Sequence, residues 1–141
     1  MPENLKQLLL RKSDWFATDI QRQISESEYP QITPAQSRLL AHMGGQPMNM
    51  SELARRLAIS RQAVHRMVAE LARQGILEVR DDPDRGNARL VVYTKAGRAV
   101  NRAGAAMITA TEQKIRRRIG RKNLELLKSL LARDWDDQSD C

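Results

Sequence analysis

The sequence predicts a mainly helical fold with one small β-hairpin, an α+β arrangement, on three observations. In residues 60–75, Val64, Val68 and Leu71 recur at i, i+4 and i+7, one narrow apolar stripe on a helix. A short helical stretch with Leu53, Ala54 and Leu57 inward stands just before it, parted from it by little more than Ala58-Ile59. Two short apolar strands, 76–80 and 89–93, follow at once around the turn residues Asp81-Asp82-Pro83-Asp84-Arg85-Gly86-Asn87-Ala88. Two helices across a tight turn and then a hairpin make a winged helix-turn-helix.

In chain order, residues 3–27 read as an amphipathic helix carrying Leu5, Leu8, Leu9, Trp15, Phe16, Ile20 and Ile24. It is long and opens the chain, so packing against a partner is open for its apolar face. Tyr29-Pro30-Gln31 ends it. Thr33 caps the next helix, with Pro34 in its first turn and Gln36 completing a capping box. Leu39, Leu40 and Met43 form its inner side, and Gly44-Gly45 stops it. Pro47-Met48-Asn49-Met50 reads as an extended link, and Ser51 as the cap of the short helix. Ser60 caps the central helix and Gly75 sits at its left-handed exit.

Beyond the hairpin, Thr94 caps a long helix with a stripe of Ala96, Ala99, Val100, Ala103, Ala106, Met107 and Ala110, continued by Ile115 and Ile119. Gly97 and Gly104 each cost roughly 1 kcal/mol against alanine inside a helix. They read as close-packing points. Gly120 marks a break, residues 123–135 are expected to turn Leu124, Leu127, Leu130 and Leu131 inward, and 134–140 form an acidic tail.

Composition narrows the function classes. Hydrophobic residues are 41% but aromatics only 4%, and the net charge is +7, so an anionic partner fits. Cys141, the lone cysteine, leaves no internal disulfide framework. No apolar window of about 18 residues is present to span a membrane, and the charged flanks of Leu8-Leu9-Leu10 do not read as a signal peptide. A soluble, cytoplasmic protein is expected. Two histidines and a terminal cysteine give no metal-ligand spacing, and neither a phosphate-cradling glycine loop nor a nucleophile elbow occurs. No enzyme, metal or cofactor is expected.

The chemistry concentrates on the outer face of the central helix, where Gln62, Arg66, Ala69 and Arg73 are flanked by Arg61 and His65. Gln62 suits a bidentate pair with adenine, and Arg66 one with guanine O6/N7. Arg61 and His65 can reach phosphates or bases. Ser51 and Ser60, at helix N-termini, can donate to phosphate with their neighbouring amides. Arg85, Asn87 and Arg89 sit at or beside the hairpin tip, where an arginine can enter a narrow minor groove. Asp84 either holds that arginine or serves the turn. The other reading is an αα corner with a solvated basic face. The run Arg116-Arg117-Arg118-Arg121-Lys122 is solvated, pairs with acids across a dimer, or touches DNA.

Residues 82–97, Asp-Pro-Asp-Arg-Gly-Asn-Ala-Arg-Leu-Val-Val-Tyr-Thr-Lys-Ala-Gly, resemble the wing signature of the MarR family of bacterial transcriptional regulators. Leu71-Ala72-Arg73-Gln74-Gly75-Ile76-Leu77 resembles that family's exit from the recognition helix, and the order of elements matches along nearly the whole chain. The spacing departs, because the family's wing often has Asp, one residue, then Arg, whereas Asp84 adjoins Arg85. Whether Arg85 or Arg89 reaches the groove stays open. The N-terminal cysteine of the family's peroxide sensors is absent. The resemblance implies an N-terminal dimerisation helix in 1–30, a winged helix-turn-helix in 31–94, and C-terminal dimerisation helices with the acidic tail in 95–141, as one integrated domain. It also implies an obligate homodimer that represses from a pseudo-palindromic site on double-stranded DNA, released by a small phenolic or anionic effector. Trp15, Phe16, His42 and Met43 are the candidate effector contacts, each equally readable as core. The competing classes are a helical protein-interaction adaptor and a non-specific architectural DNA binder.

Overall fold

Asn4 opens the first helix through a reciprocal capping box with Gln7, at 2.9 and 3.0 Å. The computed structural model describes residues 3–86 and 88–136. It comprises α1 (Leu5–Ser25), α2 (Pro34–Met43), β1 (Met48–Asn49), α3 (Met50–Leu57), α4 (Arg61–Arg73), β2 (Leu77–Asp81), β3 (Arg89–Tyr93), α5 (Lys95–Ile119) and α6 (Arg121–Ala132). The architecture is mainly helical with a small antiparallel sheet. Helix α1 starts and stops two residues inside the predicted 3–27 span. The tail beyond Asp136, Cys141 included, lies outside the described residues.

Thr33 and Gln36 form the predicted capping box of α2, and Gly44 ends it with φ +57°. The expected extended link is in fact strand β1. It pairs with β3, Met48 opposite Val91 and Asn49 opposite Leu90, so the sheet has three strands in the order β1-β3-β2. Two residues are too few to show a period of two in sequence. The cap of α3 is also corrected. Asn49, not Ser51, accepts from the Glu52 amide at 2.8 Å, and Ser51 lies exposed in the first turn. Asn49→Ala is therefore expected to cost about 1 kcal/mol, and Ser51→Ala less than about 0.5 kcal/mol. Thermal unfolding of the two variants checks this.

The turn from α3 to α4 passes through Ala58 at φ +54°, a left-handed position that no glycine announces in the sequence. It aims α4 so that Val64, Val68 and Leu71 enter the core. There they join Leu39, Leu53, Leu77 and Val91, all fully buried. Each such side chain contributes about 1.5–3 kcal/mol on burial. The core sits between α2, α3, α4 and the sheet.

Gly97 is a close-packing point. A Cβ there would stand 1.9 Å from the Ile76 carbonyl oxygen. Gly104 is not one, since a Cβ there would meet nothing within 4 Å. The predicted inward leucines of α6 are corrected as well. Leu127, Leu130 and Leu131 are exposed, Leu124 is half-buried, and no α6 residue is buried. The reason is that α6 packs chiefly on α5, leaving the rest of its surface open. Leu5, Leu8, Leu9, Leu10 and Trp15 of α1 are likewise exposed. These helices border an open groove of about 2060 Å³ that also reaches α2 and α5. Among the described residues, no helix is long and apolar enough to cross a membrane.

Candidate nucleic-acid interface

Burial of one stripe of α4 forces the opposite stripe outward. Arg61, Gln62, His65, Arg66, Ala69 and Arg73 are all exposed. Ser60 Oγ accepts from the Ala63 amide at 3.1 Å, which fixes the N-terminus of α4 and leaves the hydroxyl hydrogen free to donate outward. The cations on this face differ. Arg73 is held by Glu70 in a two-pronged pair on its own helix. Among the described residues, Arg61 and Arg66 make no ion pair, so both are available to an outside anion.

The same distinction separates the wing arginines. Arg89 lies opposite Asp81 across the β2–β3 ladder, and its guanidinium donates to that carboxylate at 3.3 Å. Arg85 stands exposed in the tip with no ion pair among the described residues. The tip is organised by Asp82. Its Oδ1 accepts from the Asp84 amide at 2.9 Å, and its own amide donates to the Ala88 carbonyl at 3.0 Å. Among the described residues no ion pair links Asp84 to Arg85. Asn87 lies outside the described residues.

Sequence reading missed Arg55 and Arg56, exposed on α3 and both bonded to Glu52. The Arg55 and then the Arg56 guanidinium hold the Glu52 carboxyl down to about 2. The i, i+3 and i, i+4 spacing of these charges was the available signal.

Three of the four candidate effector contacts border the groove: Trp15, Phe16 and His42. Met43 does not, being 2% exposed and part of the core. The Trp15 and Phe16 rings meet edge to face at 6.3 Å. Burial, then the nearby Arg38 and Arg56 charges, push the His42 imidazole below its ordinary value. A base whose folded pKa is lowered binds fewer protons than the unfolded chain, so stability falls as pH drops through the unfolded value of about 6.5. His42→Gln is expected to flatten the dependence of the melting temperature on pH between about 7 and 5. An unchanged slope in thermal melts would contradict it.

A helix-turn-helix presenting outward two cations and an amide without partners among the described residues, beside a wing with an exposed arginine at its tip, defines a winged helix-turn-helix protein. Residues 31–86 match the model of the MarR family. Uncharacterized proteins of Mycobacterium tuberculosis and Mycobacterium bovis are 35% identical over 71 residues, half of this chain and half of theirs. The chain thus spans about half the length of the curated relatives it matches. The whole architecture is that of solved MarR structures. The apo wild-type MarR of E. coli superposes with a TM-score of 0.75 at 20% identity, covering 93% of this chain and 96% of that one. FabT of Streptococcus pneumoniae, solved in complex with DNA, gives a TM-score of 0.74 at 16% identity over 90% of each chain.

Proposed function

We propose that this chain is a sequence-specific regulator of transcription that binds double-stranded DNA as a homodimer and acts as a repressor in the cytoplasm. The observation that carries the reading is the outward face of α4, where Gln62 and Arg66 stand exposed and, among the described residues, unpaired while Val64, Val68 and Leu71 anchor the opposite side. In a two-fold dimer, two such helices would enter successive major grooves about 34–36 Å apart on an inverted repeat. Gln62 and Arg66 read base edges, while Arg61, His65 and Ser60 grip the strand beside them. Ser51, exposed in the first turn of α3, adds a phosphate contact. Arg85 enters the minor groove, and Arg89 and Asn87 are further candidate DNA contacts of the wing. The exposed leucines of α1 and α6 supply the dimer face. A small anionic or phenolic effector entering beside Trp15, Phe16 and His42 would favour a dimer with mis-spaced recognition helices. The DNA complex of FabT supports the reading by analogy of fold.

Fluorescence anisotropy on an inverted repeat and on a scrambled duplex tests the proposal. Affinity is expected to fall steeply between about 50 and 200 mM salt, while a preference of about 10³ or more for the repeat persists. Equal affinity for both duplexes would favour an architectural binder. Absence of salt-dependent binding would favour an adaptor.

A further inference from the structure

Away from the DNA face, where α1 crosses α5, a polar knot is unaccounted for by anything above. The Asp19 side chain is only 11% exposed. Its Oδ2 accepts from Thr111 Oγ1 at 2.7 Å, and its Oδ1 accepts from Lys114 Nζ at 2.6 Å and from Arg22 at 3.2 Å. Thr111 is fully buried, and Gln23 Nε2 reaches its hydroxyl at 2.9 Å and the Met107 carbonyl at 3.1 Å. The Lys114 contact, and then the Thr111 hydroxyl, hold the Asp19 carboxyl well below the usual carboxylate range. Desolvated charges are a poor adhesive, because apolar residues of similar volume often stabilise a helix pair as well or better. What a satisfied polar network supplies is one register and one crossing in place of several.

The other end of α5 is joined firmly to the recognition helix. Thr94 donates through its amide to the Ile76 carbonyl at 3.1 Å and through its hydroxyl to the Gly75 carbonyl at 2.5 Å. Its hydroxyl oxygen also accepts from the Gly97 amide at 2.9 Å, and Gly97 leaves no room for a side chain against Ile76. The exit of α4 and the start of α5 therefore move together. Thr111 lies about 25 Å along α5 from that joint, at roughly 1.5 Å per residue. A rotation of about 8° at the knot would carry the recognition helix about 3.5 Å, roughly one base-pair rise on DNA with about 10 base pairs per 34–36 Å turn.

We propose that Asp19, acting through Thr111 and Lys114, is a positioning residue that sets the distance between the two recognition helices and hence the operator spacing the dimer accepts. This rests on the dimeric DNA-binding reading given above. The test uses the full chain and the inverted repeats that the wild type itself selects from a randomised duplex library, then the same repeats with the spacer lengthened or shortened by one and two base pairs. Wild-type affinity is expected to fall roughly tenfold or more on the altered spacers, because a displaced half-site loses its base contacts. In Asp19→Asn and in Thr111→Val that ratio is expected to fall below about threefold, with most of the change on the selected spacer. Thr111→Ser, which keeps the hydroxyl, is expected to retain the wild-type profile. Should Asp19→Asn fail to fold, the comparison of Thr111→Val with Thr111→Ser decides alone. An unchanged spacer profile, or an equal loss on every spacer, would overturn the positioning role. A wild type that selects no inverted repeat would instead overturn the DNA-binding reading, and the positioning role with it.

Discussion

Replacing Arg66 by alanine is expected to erase base preference at one position of each half-site while leaving other positions discriminating. Arg66 is exposed near the middle of the outward face of α4 and has no ion pair among the described residues, so no internal bond must break before it reaches a base. A bidentate arginine–guanine pair carries about 1–3 kcal/mol of discrimination, roughly 5- to 150-fold per half-site. Binding measured on operators varied one base pair at a time shows the effect as one flattened position. Arg85→Ala should behave differently. It is expected to weaken binding to most sequences and to lower the slope of log affinity against log salt by about one. Equal losses on every operator variant for Arg66→Ala would remove it from the base-reading set.

The largest effect on stability is expected at Gly97. In Gly97→Ala the new methyl would fall on the Ile76 carbonyl, a backbone group fixed by the turn at Gly75 and by Thr94. Neither side can yield by rotating a side chain. A loss of about 3 kcal/mol is expected, lowering the melting temperature by roughly 10 °C. Gly104 is the control. It sits in the same helix with nothing within 4 Å of its Cβ position, so Gly104→Ala should gain up to about 1 kcal/mol from helix propensity. A Gly97→Ala protein that melts like the wild type would mean that α5 does not approach Ile76 so closely.

Much of this was legible because the local signals and the core agree. Ser60, Thr33, Gly44 and Gly75 hold the cap and turn roles that their chemistry suggests, and the Val64-Val68-Leu71 stripe is buried as its spacing requires. What escaped is what depends on distant partners. Strand β1 exists only because β3 offers an edge to Met48 and Asn49. The α6 leucines are apolar at helical spacing, but spacing says nothing of whether the same chain covers them. The bond between Asp19 and Thr111 joins residues 92 positions apart, and no local pattern announces it. The free or paired state of the arginines is similar. Arg85 and Arg89 look alike in sequence, and only the ladder places Asp81 opposite Arg89.

Hydroxyl-radical footprinting on a selected inverted repeat bears most directly on the reading of α4. Two protected segments are expected, centred about 10 base pairs apart on one face of the duplex, each flanked by minor-groove protection from a wing. Both should vanish when Gln62 and Arg66 are replaced together by alanine. A single protected segment, or protection that survives the double replacement, would contradict a two-fold dimer reading DNA through these residues.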